Sequence, residues 1–175
     1  MADFDERFND HAAELAGTGI ELRTGTADDA DLIRRVVAIA GHWRDDVVPH
    51  ELPAELDKYH HGWSRPGDLA VLAFQGIEFA GGAYVRCLDA ADGAYGYVSD
   101  DYPELTIGVE APFRGRGLGV ILLAAIKAKV IEADMAGISL SVEPDNDARH
   151  LYAKLSFELI EDRRHDLLML WRRPT

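Results

Sequence analysis

The chain has 175 residues, is 47% hydrophobic and 28% charged, and carries a formal net charge of −13. Its length suits a single domain, spanning 1–175, that buries roughly 70% of the surface its unfolded chain exposes, and its composition excludes a disordered chain, a fibre or a repeat array. The negative charge aids solubility, argues against nucleic acid and membrane as partners, and would draw in a cationic substrate such as an amine.

Residues 4 to 16 read as a short amphipathic helix with Phe4, Phe8 and Leu15 as its apolar points, ended by Gly17-Thr18-Gly19, so residues 1–18 are expected to form a helical extension. The start, Met1-Ala2-Asp3-Phe4-Asp5-Glu6, has no basic stretch followed by an apolar one, so no secretory signal is expected. No apolar run reaches the roughly 18 residues of a membrane span. With Cys87 as the one cysteine, no internal disulfide can form, and a cytoplasmic location is expected. Ile20 to Arg23 alternates as a strand. Thr26-Ala27-Asp28-Asp29 then opens a helix striped by Leu32, Ile33, Val36, Val37 and Ile39. Pro49, Pro53 and Pro66 break the next region, which holds His42, Trp43, His50, Tyr59, His60, His61 and Trp63, with a short helix expected over Ala54 to His61.

Asp68 to Phe74 and Ile77 to Leu88 form a strand pair about a turn at Gln75-Gly76, and Cys87 is expected as a small core residue on the second strand. Leu105 to Val109 is the next strand. Leu118 to Ala133 is a long helix with Leu118, Leu122, Leu123, Ile126, Val130 and Ala133 on one broad face and Lys127 elsewhere. Ile138, Leu140 and Val142 alternate with Ser139, Ser141 and Glu143 as a strand. A short helix with the face Ala148, Leu151, Tyr152 and Leu155 follows, then closing strands over Phe157 to Ile160 and Leu167 to Trp171. The fold class is α/β, layered in the α+β manner.

The chemistry concentrates where the strand ending at Val109 runs through Glu110-Ala111-Pro112-Phe113 into Arg114-Gly115-Arg116-Gly117-Leu118-Gly119 and a helix. Glycines permit a tight turn and close approach to backbone amides, and the first amides of a helix have no internal partner. Together with the helix dipole they suit phosphate, and Arg114 and Arg116 add forked cationic donors. A dinucleotide fingerprint fails, because its third glycine would fall on Val120, and no Gly-Lys-Ser/Thr is present for a P-loop. The pattern that fits is Arg-x-x-Gly-x-Gly from Arg114 to Gly119.

With this pattern after a Val-x-Pro strand end, the sequence resembles the GNAT superfamily of acetyl-CoA-dependent N-acetyltransferases. Downstream, Ser139-Leu140-Ser141-Val142-Glu143, Asn146, Ala148 and Leu151-Tyr152-Ala153-Lys154-Leu155-Ser156-Phe157 resemble the family's strand, Asn, Ala, Leu-Tyr-x-Lys and Gly-Phe. Residues 104–160 would be the cofactor-binding core. Ser156 departs from the glycine expected after the last helix. A left-handed residue commonly closes a helix there, and glycine adopts that conformation without steric cost.

The resemblance implies a mixed, mostly antiparallel twisted sheet, splayed at the cofactor strand, with helices on both faces. It implies acetyl-CoA as cosubstrate. Val109 would pair with the pantetheine arm, Arg114, Gly115, Arg116, Gly117, Leu118 and Gly119 would hold the pyrophosphate, and Asn146 would touch the arm. Tyr152, as an alternative to a core tyrosine, would protonate the departing thiolate. Glu104, with Glu110 second, would take the proton of the attacking amine, directly or through water, and Ser141 would help order a water. The acceptor would be a primary amine of a small molecule or protein, gripped by the 42–63 region, where Asp45, Asp46, Asp100 and Asp101 could add charge. No metal is expected, because the histidine spacing fits no ligand motif. Transfer of another acyl group, a hydroxyl acceptor, a non-catalytic CoA sensor and a homodimeric assembly remain open at this level.

Overall fold

The computed structural model describes residues 17–45 and 49–174. The helix expected over 4–16, and Asp46, lie outside the described residues. Elsewhere the chain runs β1 (Ile20–Thr24), α1 (Ala30–Gly41), α2 (Asp57–His60), β2 (Leu69–Gln75), β3 (Glu78–Arg86), β4 (Glu104–Val109), α3 (Leu118–Glu132), β5 (Gly137–Val142), α4 (Ala148–Lys154), β6 (Glu158–Asp162) and β7 (Leu167–Arg172). These elements follow the expected order to within a few residues at their ends.

The strands form one sheet in the order β1-β2-β3-β4-β5-β7-β6. Every neighbouring pair is antiparallel except β4–β5, which is parallel. The period of two divides the strand side chains between two cores. Val71, Ala73, Ala83, Val85, Leu105, Ile138 and Leu140 pack with α3 and α4, whereas Ala70, Leu72 and Tyr84 pack with Ile33, Val36 and Val37 of α1 and Tyr59 of α2. The architecture is thus the mixed α/β sheet, helices on both faces, that the sequence implied.

The parallel pair is joined at a single register point, Glu104 opposite Ser139. Its outer neighbours are not loose: β4 is in register with β3 from Arg86↔Glu104 to Gly81↔Val109, and β5 with β7 from Gly137↔Arg172 to Val142↔Leu167. A gap therefore opens between the C-terminal halves of β4 and β5, bounded by two firmly held strands.

Two residues fall otherwise than the sequence pattern suggests. Cys87 follows the last residue of β3 and is exposed, with burial of its surroundings still pushing the thiol pKa up. Lys127 lies off the apolar stripe of α3 yet is 6% exposed, because the end of α4 and the last strands cover that flank. Its ammonium donates to the Leu155 carbonyl and lies 4.8 and 4.5 Å from the Phe157 and Trp171 rings, and burial pushes its pKa down to about 7.

Helix α4 ends in a Schellman motif. The Phe157 amide donates to the Tyr152 carbonyl, the Ser156 amide donates to that of Ala153, and the Tyr152 and Phe157 rings lie 5.8 Å apart. The closing residue, Ser156, has φ +66° and is exposed. A side chain held left-handed costs roughly 1–2 kcal/mol, offset in part by the extra entropy glycine loses on folding. Ser156→Gly is expected to raise stability by roughly 0.5–1 kcal/mol in urea or thermal unfolding, and a clear loss would mean that the serine hydroxyl itself supports the cap.

Candidate active site

A glycine-rich turn stands at the open end of the gap. After Val109, a 3-10 turn over Ala111–Phe113 leads into Arg114, then Gly115 at φ +73° and Gly117 at φ +79°. Gly117 precedes α3, and its carbonyl accepts from the Val120 and Ile121 amides, so the Leu118 and Gly119 amides are left at the helix start. A β-carbon built on Gly115 would meet nothing within 4 Å, so this bend is open to a ligand. Arg116 packs over the Phe113 ring. Arg114 folds back, its Nε donating to the Val109 carbonyl at 3.0 Å and its terminal nitrogens lying 3.4–3.5 Å from the Trp43 and Asp45 carbonyls. Because the Glu110 amide is bonded to Ala80 of β3, strand alternation turns the amide of Val109 toward the gap.

The opposite lip begins where β5 ends. Asn146 Oδ1 accepts from the Ala148 amide at 2.9 Å and starts α4. Arg44 crosses to this lip, binding Glu143 and both carboxylate oxygens of Asp145. The segment 43–45 therefore touches both sides of the mouth. Val109, the Arg114–Gly119 turn and Asn146 lie at one end of the sheet.

Glu104 lies at the closed end, five residues before Val109, or about 17 Å along an extended strand. Its side chain points to the α1 face. Oε1 accepts from the Tyr59 hydroxyl at 3.1 Å and the Gly96 amide at 2.8 Å, while Oε2 is buried and meets no hydrogen-bond partner among the described residues. Burial pushes the Glu104 pKa up to about 7, against the pull of the Gly96 amide, the Tyr59 hydroxyl, Lys58 and Arg163. Glu110 differs: Arg35 grips it with two hydrogen bonds of 2.6 and 2.9 Å, which commits it to an ion pair. Tyr152 is on the other face, buried beside Phe157 in the α3 core, and burial raises its pKa so that the phenol stays protonated.

Along the C-terminal half of β5, the β6–β7 turn forms a polar wall. Ser141 donates to Asp166 at 2.7 Å, and Arg163 donates to the Tyr95 carbonyl at 2.7 Å. The described residues of the 42–63 region are held by packing: Trp63 meets Tyr84 edge-on and donates to the Thr26 carbonyl, and His42 Nδ1 lies 3.0 Å from the Ala38 carbonyl. Among the described residues no three His, Cys, Asp or Glu side chains converge as a metal site requires, and no described helix is long and apolar enough to cross a membrane.

The family model described as FR47-like protein matches residues 97–165, the stretch holding Glu104, the glycine turn and Tyr152. The mycothiol acetyltransferase of Corynebacterium aurimucosum is 30% identical over 117 residues, 62% of this chain, and the match spans 37% of that relative's length. The GNAT domain of S. lividans PAT superposes with a TM-score of 0.65 at 18% identity, over 88% of this chain and 90% of that one. The chain has the GNAT fold. The Salmonella typhimurium protein yncA, solved with acetyl-CoA, matches this GNAT fold with a TM-score of 0.64 at 15% identity, over 88% and 94% of the two chains.

A residue that shapes this candidate site carries no local sequence signal. Arg86, at the end of β3, is fully buried against Asp68, its Nη2 2.7 Å from Asp68 Oδ2. Its remaining donors reach the Lys58, His61 and Gly62 carbonyls. It thus fixes the turn that carries Tyr59. Removing one member of a buried pair costs about 3–5 kcal/mol, because the other charge is stranded. Arg86→Met is expected to lose that much in equilibrium denaturation, and a loss below about 1 kcal/mol would show that water replaces the guanidinium.

Proposed function

We propose that the protein transfers an acetyl group from acetyl-CoA to a primary amine by direct attack. The observation that carries this reading is the gap itself. Beyond Glu104 and Ser139, β4 and β5 part while each stays paired to its outer neighbour. A helix-capped glycine turn stands at the open end and a buried carboxyl at the closed end.

In this reading the amides of Gly115 to Gly119, with Arg114 and Arg116, hold the pyrophosphate. The unpaired edge at Val109 receives the amide-bearing pantetheine arm as an added strand, and the Asn146 side chain lies along it. The acceptor approaches on the α1 face, where Glu104 takes a proton from its ammonium form, directly or through water. The amine nitrogen then bonds to the thioester carbon, the C–S bond breaks, the thiolate takes its proton from Tyr152, and the second proton lost by the nitrogen as the amide forms returns to the tyrosinate through water. No covalent bond to the protein is needed. The mycothiol acetyltransferase relative and the yncA neighbour solved with acetyl-CoA support acetyl as the group moved.

The test is release of free CoA thiol from acetyl-CoA across a panel of amines. Acetyl-CoA is expected to raise the melting temperature, by the equivalent of about 2.7 kcal/mol at 100 times its Kd, with ATP and NAD doing far less. A larger shift with either nucleotide, or no thiol release with any acceptor, would overturn the reading.

Because a base must be deprotonated, kcat/KM is expected to rise as pH passes through about 7, the pKa to which burial pushes Glu104. In Glu104→Gln this rising limb is expected to disappear with most of the turnover. Tyr152→Phe is expected to lower kcat about 10²–10⁴-fold at nearly unchanged acetyl-CoA affinity. Unchanged turnover would return Tyr152 to a packing role.

A further inference from the structure

Glu104 is not simply a buried carboxyl; one of its oxygens is pinned from two directions. Both donors reach Oε1, the Tyr59 hydroxyl at 3.1 Å and the Gly96 amide at 2.8 Å. The Tyr59 oxygen in turn accepts from the Tyr95 amide at 2.8 Å. Its one proton is therefore directed at the carboxylate. The approach at Gly96 is close: a β-carbon there would stand 2.7 Å from the Glu104 carboxyl carbon, so the amide can reach Oε1 only from a residue without a side chain. Oε2, also buried, meets no hydrogen-bond partner among the described residues.

Tyr59 has little freedom of its own. The Tyr84 hydroxyl donates to its carbonyl at 2.8 Å, and Arg86 binds the carbonyls on either side, at Lys58 and His61. Its ring stacks on Tyr95, with the centroids 6.1 Å apart. A hydroxyl held this way resists rotating off the carboxylate.

We propose that Tyr59 is a positioning residue for Glu104: with the Gly96 amide it fixes Oε1 and leaves Oε2 as the oxygen that receives the acceptor's proton. The proposal rests on the reading of Glu104 as the base. The groups facing this carboxylate are Lys58 and Tyr59 from α2, Tyr84 from β3, Tyr95 from the following loop and Arg163 from the β6–β7 turn. On β5, Ser139 stands opposite. A donor to the ionised form holds a carboxyl's pKa down, so removing the Tyr59 hydroxyl raises it.

The experiment is a carboxyl ¹³C titration of the full-length protein labelled at glutamate, with Glu104→Gln identifying the resonance. It is paired with the pH profile of kcat/KM for any acceptor that turns over. In Tyr59→Phe the Glu104 resonance is expected to titrate roughly one pH unit higher than in the native protein, the size of one lost hydrogen bond to a charged group. The rising limb should move with it, leaving kcat/KM about tenfold lower at pH 6 and near native at pH 9, with the KM for acetyl-CoA unchanged. A purely structural role would instead lower activity equally at every pH. If Tyr59→Phe does not fold, the same titration is read in Gly96→Ala, which displaces the carboxylate from the other donor and is expected to shift it upward as well. An unmoved Glu104 titration in the variant that folds overturns the proposal. A rising limb that survives Glu104→Gln overturns the reading of Glu104 as the base, whatever Tyr59 does.

Discussion

Arg86 is a guanidinium without access to solvent, and it persists there because each arm of its fork meets an acceptor. Asp68 immediately precedes β2, and Arg86 is the last residue of β3, so the two meet across the adjoining ends of an antiparallel pair. The carbonyls of Lys58, His61 and Gly62 complete the set, which hangs the α2 turn on the end of the sheet. Buried ion pairs often contribute little net stability over apolar residues of similar size. What this one adds is position: α2 is a single turn, too short to hold itself as an isolated helix, yet its Tyr59 hydroxyl must meet a carboxyl on β4.

The gap depends on a similar economy of contacts. A strand edge exposes amides and carbonyls that seek another strand. Here two such edges face each other, β4 and β5 beyond Glu104 and Ser139, and neither can close on the other because β3 and β7 hold them in register. An extended amide-bearing arm fits such a slot, and the helix start at Gly117 supplies positive potential at one end. The distance from that turn to Glu104 is set by the length of β4, so in the proposed mechanism one strand spaces the phosphate-binding turn from the proton-accepting carboxylate.

Much of this was legible in sequence where the signal is local. The alternation of Ile138, Leu140 and Val142 with Ser139 and Ser141 sorts β5 onto its two faces, and the contiguous run from Arg114 to Gly119 marks the turn. Even the left-handed residue closing α4 follows from Ser156 preceding Phe157. The partners of Glu104 are another matter. Tyr59 is 45 residues away in sequence, in a stretch whose prolines and histidines signal only an irregular loop, and Gly96 looks like any loop glycine until the carboxylate is seen against it. Glu104 is the first expectation for the base and Glu110 the second, and Arg35, from α1, sets them apart by taking Glu110 into an ion pair. Lys127 shows the same limit in the core: its burial depends on the end of α4, which no periodicity within α3 records.

The two proton-handling groups proposed here make opposite demands, and burial serves only one of them. Taking a side chain out of water disfavours its charged form, so it raises the pKa of tyrosine and glutamate alike. For Tyr152 that is sufficient: a group that must hold its proton until the thiolate leaves needs no more than an apolar setting, and its cap, with the Phe157 amide on its own carbonyl, keeps it in place. For Glu104 burial alone would leave a neutral acid unable to accept a proton. Donors must oppose it, and they must do so without covering the oxygen that acts. The Gly96 amide and the Tyr59 hydroxyl, both on Oε1, meet that condition. This is why the elaborate support, from Arg86 through α2 to Tyr59, is built on the face of the sheet that carries the carboxylate, while the tyrosine on the other face is held by its helix cap and apolar packing.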